Sequence, residues 1–110
     1  MTEKKHSAQE KWPSYTMVEE RMKKIYFRFY RATYERSEID RKTKELIAIA
    51  ASVGFKCEGC LRGHIDKALK YGASTEELGE AISIAIGVAA ASVVDQTGAI
   101  SEQLRLKLFE

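Results

Sequence analysis

The chain has 110 residues, enough for one hydrophobic core and not for two. Its composition is 45% hydrophobic and 31% charged, as in a soluble globular protein, and 18 basic against 16 acidic residues leave a net charge of +2. That balance excludes polyanion binding driven by bulk charge and gives no reason to expect a nucleic-acid partner.

Residues 1–12 are polar and read as a flexible segment ahead of a single domain over 13–110. Met1-Thr2-Glu3-Lys4-Lys5-His6 has no apolar run behind it, so it does not read as a secretory signal. Pro13, the only proline, fits the first turn of a helix. Tyr15, Val18, Met22, Ile25, Phe29 and Ala32 recur at helical spacing and predict an amphipathic helix to about Tyr34. Its other face carries Arg21, Lys24, Arg28, Arg31 and Glu35. That face reads as solvated surface with snorkelling stems rather than an RNA-binding surface.

Asp40 fits the N-cap of a second helix, which runs through Glu45, Leu46, Ile47, Ile49 and Ala50 to about Val53 and ends at Gly54. A third helix starts near Cys57, carries Leu61, Ile65, Ala68 and Leu69, and ends at Gly72. Ser74-Thr75-Glu76-Glu77 forms a capping box for a fourth, with Leu78, Ala81, Ile82, Ala85, Ile86 and Ala89 along it. Its small residues at 87–92 would let another helix approach closely. A last helix over 95–108 presents Ile100, Leu104 and Leu108. No alternating strand pattern with turn dipeptides appears. The expected fold is all-α, a compact helical domain of about five helices. The longest weakly polar stretch, 81–94, is shorter than the roughly 20 residues that span a bilayer. No membrane partner is therefore expected, and the chain reads as cytoplasmic. So small a domain with so much apolar helix surface predicts a homo-oligomer.

Cys57 and Cys60 are the only cysteines. A bridge between them closes too small a loop to staple the fold, so the pair suits reactivity or metal binding. Helical residues three apart have Cβ atoms about 5–6 Å apart, close to what a disulfide tolerates. The amino end of a helix favours a thiolate, Lys56 and Arg62 add positive charge, and Glu58 opposes them. His64 lies one turn beyond Cys60 on the same face and can take its proton, directly or through one water. Glu45 is either a plain surface charge or the acid that orients His64. The metal alternative would ligate zinc with Cys57, Cys60, His64 and a fourth group from Glu45, His6 or water. Structural zinc usually takes four Cys or His ligands, and no second pair exists here. Leu61 after Cys60 excludes c-type haem attachment. A non-enzymatic helical assembly protein is the remaining alternative.

Glu45, eleven residues, Cys57-x-x-Cys60, three residues and His64 together resemble the signature of the alkyl hydroperoxidase D-like proteins. These belong to the wider carboxymuconolactone decarboxylase family. The resemblance continues through 66–77 and the small-residue helix, covering roughly 38–95. It implies an all-helical fold, oligomers such as trimers or hexamers, and thiol peroxidase activity on hydroperoxides without a bound cofactor. Carried over residue by residue, it makes Cys60 peroxidatic and Cys57 resolving, with His64 and Glu45 as a proton relay. It also implies a dithiol reductant of lipoyl or thioredoxin-like type. The sequence departs from the best-known peroxidase at Gly59, where that protein has a further histidine. The decarboxylase branch is not redox-based, so the cysteine pair points away from a lactone decarboxylase-like lyase.

Overall fold

Four α-helices and one 3-10 turn, without a strand, make up the described residues, 13–109, of the computed structural model. The all-α expectation holds. The expectations for residues 1–12, His6 included, fall outside the described residues. The chain divides into two compact units, Met1–Arg41 and Lys42–Glu110.

The first unit holds the 3-10 turn Pro13–Met17 and α1, Glu20–Tyr34. One continuous helix is expected from Pro13, but the backbone at Glu19 is extended (φ −56°, ψ 143°) and the α-helix begins after it. Tyr15 from the turn stacks at a tilt on Phe27 and Tyr26, with ring centroids 5.0 and 5.9 Å away. Burial, then a hydrogen bond with Tyr26, pushes the Tyr15 phenol up to about 12. No residue of α1 is buried within the described chain, and Met22, Ile25 and Phe29 on its apolar face are exposed.

The second unit contains α2 (Arg41–Gly54, from its second residue onward), α3 (Glu58–Lys70) and α4 (Thr75–Leu104). Ile49, Ala68, Ala73 and Ala81 are its buried core, with Leu46, Leu61, Ile65, Leu78 and Ile82 packed against them. Ile49 of α2, Ala68 of α3 and Ala81 of α4 share that core, which holds side chains of α2 and α3 against each other. Lys42 Nζ lies 3.1 Å from Glu77 Oε2 and ties α2 to the first turn of α4.

The expected capping box opens α4. Glu77 N–H donates to Ser74 Oγ at 3.0 Å, and Ser74 N–H donates to Glu77 Oε1 at 2.9 Å. The Ser74 amide first, and the Lys42 ammonium second, hold the Glu77 carboxyl below its ordinary range. The associated stabilisation is present above the ordinary carboxylate pKa and fades as pH falls through the lowered one. Ser74→Ala is expected to lower the unfolding free energy by about 1 kcal/mol, as read by denaturant titration.

Where two helices are expected, α4 runs unbroken for 30 residues. The polar residues that suggest a boundary find partners inside the helix. Thr97 Oγ1 donates to the Val94 carbonyl at 2.8 Å, and Gln96 Nε2 donates to Ser92 Oγ at 3.1 Å. Gly98 costs a helix interior only about 1 kcal/mol, too little to end it. Leu108, expected on a fifth helix, lies beyond the end of α4. Past Ala81 the helix leaves Ile84, Ile86, Val88, Val93 and Val94 exposed. By length and composition α4 is long and apolar enough to cross a membrane, which corrects the shorter apolar span read from 81–94.

Candidate active site

The turn between α2 and α3 sets the position of the first cysteine. α2 ends in paired hydrogen bonds: Lys56 N–H donates to the Val53 carbonyl at 3.1 Å, and Cys57 N–H donates to the Ser52 carbonyl at 2.9 Å. This closure needs one left-handed residue. Gly54, the expected terminator, is instead the last helical residue, and the left-handed position falls on Lys56 (φ 57°). That conformation costs a residue with a side chain roughly 1–2 kcal/mol. Cys57 then serves both helices. Its amide closes α2, and it is the N-cap of α3, with its carbonyl accepting from Leu61 N–H at 2.9 Å.

Cys57 and Cys60 are joined by a disulfide, with their Cα atoms 5.2 Å apart. Cys57 is half-buried and Cys60 is exposed. Cys57 Sγ accepts a hydrogen bond from the Cys60 amide at 3.2 Å, so a sulfur replaces the oxygen that usually caps a helix. The sulfur lies where the free amides and the helix dipole concentrate positive potential. Lys56 precedes Cys57 in the chain, Arg62 follows on α3, and Glu58 occupies the first turn.

Glu45, Ala48, Ile49 and Ser52 form the buried stripe of α2, at the spacing of a helix face. Glu45 is therefore no surface charge; its relative exposure is 0%. On α3, His64 and Ala68 are the buried pair, one turn apart. The two stripes face each other, and His64 Nδ1 lies 2.7 Å from Glu45 Oε1. Burying a carboxyl group is unfavourable without a partner, and this hydrogen bond offsets much of that cost. His64 follows Cys60 by four residues on α3, which puts their Cβ atoms about 5–6 Å apart.

Ser52 is absent from the sequence-based set and belongs to the site's support. It is buried, its Oγ donates to the Ala48 carbonyl at 2.7 Å, and its own carbonyl holds the Cys57 amide. The available signal is its register, seven residues after Glu45 on the same face. Among the described residues, no group of three or more His, Cys, Asp or Glu side chains is arranged to hold a metal ion.

Comparison with known proteins adds kinship to this geometry. Residues 20–100 match the model of the carboxymuconolactone decarboxylase family. An uncharacterised protein of the cox locus of Paracoccus denitrificans is 40% identical over 47 residues, 43% of this chain. The match spans 42% of that relative's length. Among solved structures, a carboxymuconolactone decarboxylase family protein of Thermotoga maritima, with a suggested involvement in antioxidative response, is 32% identical. It aligns over 79% of this chain and 93% of its own with a TM-score of 0.62. A Methanobacterium thermoautotrophicum protein aligns with a TM-score of 0.70 at 29% identity, over 76% of this chain and 95% of its own. A further family member from Legionella pneumophila is 28% identical with a TM-score of 0.64, over 73% of this chain and 71% of its own.

Proposed function

The chain belongs to the carboxymuconolactone decarboxylase family, and from that premise we propose that it is a thiol-dependent peroxidase, a disulfide oxidoreductase that reduces hydroperoxides through Cys57 and Cys60. The observation that carries this reading is the Cys57–Cys60 disulfide at the tip of α3, one turn from a buried Glu45–His64 hydrogen bond. A cysteine pair this close in sequence contributes little to stability, whereas it suits a cycle of forming and breaking. The suggested antioxidative involvement of the Thermotoga relative supports the same direction. A lactone decarboxylase-like lyase has no use for a bridged cysteine pair.

In the reduced protein, His64 Nδ1 donates to Glu45 and Nε2 takes the proton of Cys60. The buried acid stabilises the imidazolium that results. The Cys60 thiolate attacks one peroxide oxygen, the O–O bond breaks, and the departing alkoxide takes the proton from His64 and leaves as an alcohol. Cys60 becomes a sulfenic acid. Cys57 Sγ, as a thiolate, attacks Cys60 Sγ, the S–O bond breaks, and hydroxide leaves to become water. The disulfide formed is the one present in the structure. A dithiol of lipoyl or thioredoxin-like type returns both cysteines to thiols. The residues carry the whole cycle, with no bound cofactor, in a reducing cytoplasmic setting.

The same reading includes self-assembly into trimers or hexamers. The unit's core is small, and the exposed valines and isoleucines of α4 are of the kind that further copies cover. Asp95 lies within the apolar length of that helix. A carboxylate inside a bilayer core costs about 2.5–3.5 kcal/mol, which favours a protein partner over lipid.

The test is hydroperoxide consumption driven by dithiothreitol. Wild-type protein is expected to turn over and Cys60→Ser to fall to the uncatalysed rate, while Cys57→Ser turns over more slowly than wild type, only as fast as dithiothreitol reduces the Cys60 sulfenic acid directly. Equal rates for all three proteins would overturn the assignment.

A further inference from the structure

The two sulfurs of the bridge are not equivalent. Cys60 is exposed and Cys57 is half-buried. Cys57 alone has its sulfur in the capping position, accepting the Cys60 amide at 3.2 Å. Its backbone is pinned on both sides, through the Ser52 carbonyl and the Leu61 amide, each at 2.9 Å. Thiol–disulfide exchange depends on access to the sulfur under attack and on how stable the departing thiolate is. Access selects Cys60 as the sulfur attacked. The cap and the helix dipole select Cys57 as the sulfur that departs, because the Cys60 amide is already directed at it and holds the charge it gains.

We infer that reduction is directional: the incoming thiolate attacks Cys60 Sγ, and Cys57 leaves as a thiolate held in the α3 cap. This deepens the proposed function and rests on its premise that the pair is redox-active. In the first step the Cys57–Cys60 bond breaks and a bond forms between the reductant sulfur and Cys60 Sγ. The electron pair goes to Cys57, which is reduced, and the reductant sulfur is oxidised. A dithiol then completes the exchange. Its second thiol loses a proton and attacks the first reductant sulfur. A cyclic disulfide closes, and Cys60 departs and takes up a proton from the His64 side. A monothiol has no second sulfur in place. The Cys57 thiolate, fixed within reach, attacks Cys60 Sγ and expels it, restoring the original bridge. One arrangement thus accounts both for the sulfur used and for a preference for dithiol reductants. External chemistry, oxidative and reductive, passes through Cys60, while Cys57 remains the internal partner.

The experiment uses wild-type oxidised protein. It is treated with excess 2-mercaptoethanol, quenched with N-ethylmaleimide and digested. Fragment spectra of the peptide between Lys56 and Arg62 then locate each group. The expected product carries mercaptoethanol on Cys60 and maleimide on Cys57; the opposite distribution overturns the inference. If the adduct is too short-lived to detect, single-cysteine variants decide. The thiolate absorbance of Cys57 in Cys60→Ser should appear at a pH about half to one unit lower than that of Cys60 in Cys57→Ser, as read by titration at 240 nm. Equal or reversed midpoints count against the direction. Hydroperoxide turnover measured alongside keeps the two proposals apart. Turnover with the adduct on Cys57 removes only the direction, and an adduct on Cys60 without turnover removes only the peroxidase reading.

Discussion

His64→Ala is expected to lower kcat/KM for hydroperoxide by about 10²–10⁴-fold at neutral pH. The imidazole is buried, bound to Glu45 at 2.7 Å, and one helical turn from Cys60. Without it Cys60 must lose its proton to solvent. The activity of the variant should therefore rise as pH climbs through the ordinary thiol range, near about 8.5, where deprotonation no longer needs a base. The wild type should show no comparable climb. The substitution also removes the buried hydrogen bond between Glu45 and His64, which costs about 1–3 kcal/mol of stability. Circular dichroism at the assay temperature separates the two effects. A folded His64→Ala protein with wild-type rates at neutral pH would remove His64 from the relay.

Glu45 gives the second large effect, and two substitutions divide its roles. Glu45→Ala deletes a fully buried hydrogen-bonding group and leaves a cavity beside Ile49 and His64. It is expected to cost about 2–4 kcal/mol, visible as a lower denaturant midpoint. Glu45→Gln keeps the shape and an oxygen that accepts from His64 Nδ1, so most of that stability returns. It removes the negative charge that steadies the imidazolium. The rate should still fall by about 10–100-fold, less than on loss of the imidazole itself. A Gln variant as stable and as active as the wild type would reduce Glu45 to a packing role. A Gln variant that is stable but slow identifies the charge as the contribution.

Much of this was legible in the residues themselves. The capping box Ser74–Glu77, the helix start at Cys57 and the turn at Gly72 are local signals, and each appears where its chemistry demands. The cysteine pair and His64 were legible because spacings of three and four residues have a fixed meaning on a helix. Glu45 was only half legible. Its contact with His64 crosses nineteen residues and two helices, and what settles its burial is the tertiary pairing of two stripes. The left-handed Lys56 was not legible, since glycine is the usual signal and Gly54 stood two positions away. The continuity of α4 was hidden for a related reason. Asp95, Gln96, Thr97 and Gly98 look like a boundary, and only the hydrogen bonds made within the helix show that they are not. The asymmetry of the two sulfurs also required coordinates, because it depends on which of them occupies the cap.

In the proposed cycle Cys60 meets the peroxide and Cys57 completes the bridge. The most direct measurement takes fully reduced Cys57→Ser protein under anaerobic conditions, adds one equivalent of hydroperoxide in the presence of dimedone, and locates the adduct by mass spectrometry. Stable labelling of Cys60 as its sulfenic acid, with a matching loss of hydroperoxide, is the predicted result. Hydroperoxide left unconsumed and Cys60 left as a free thiol would contradict it.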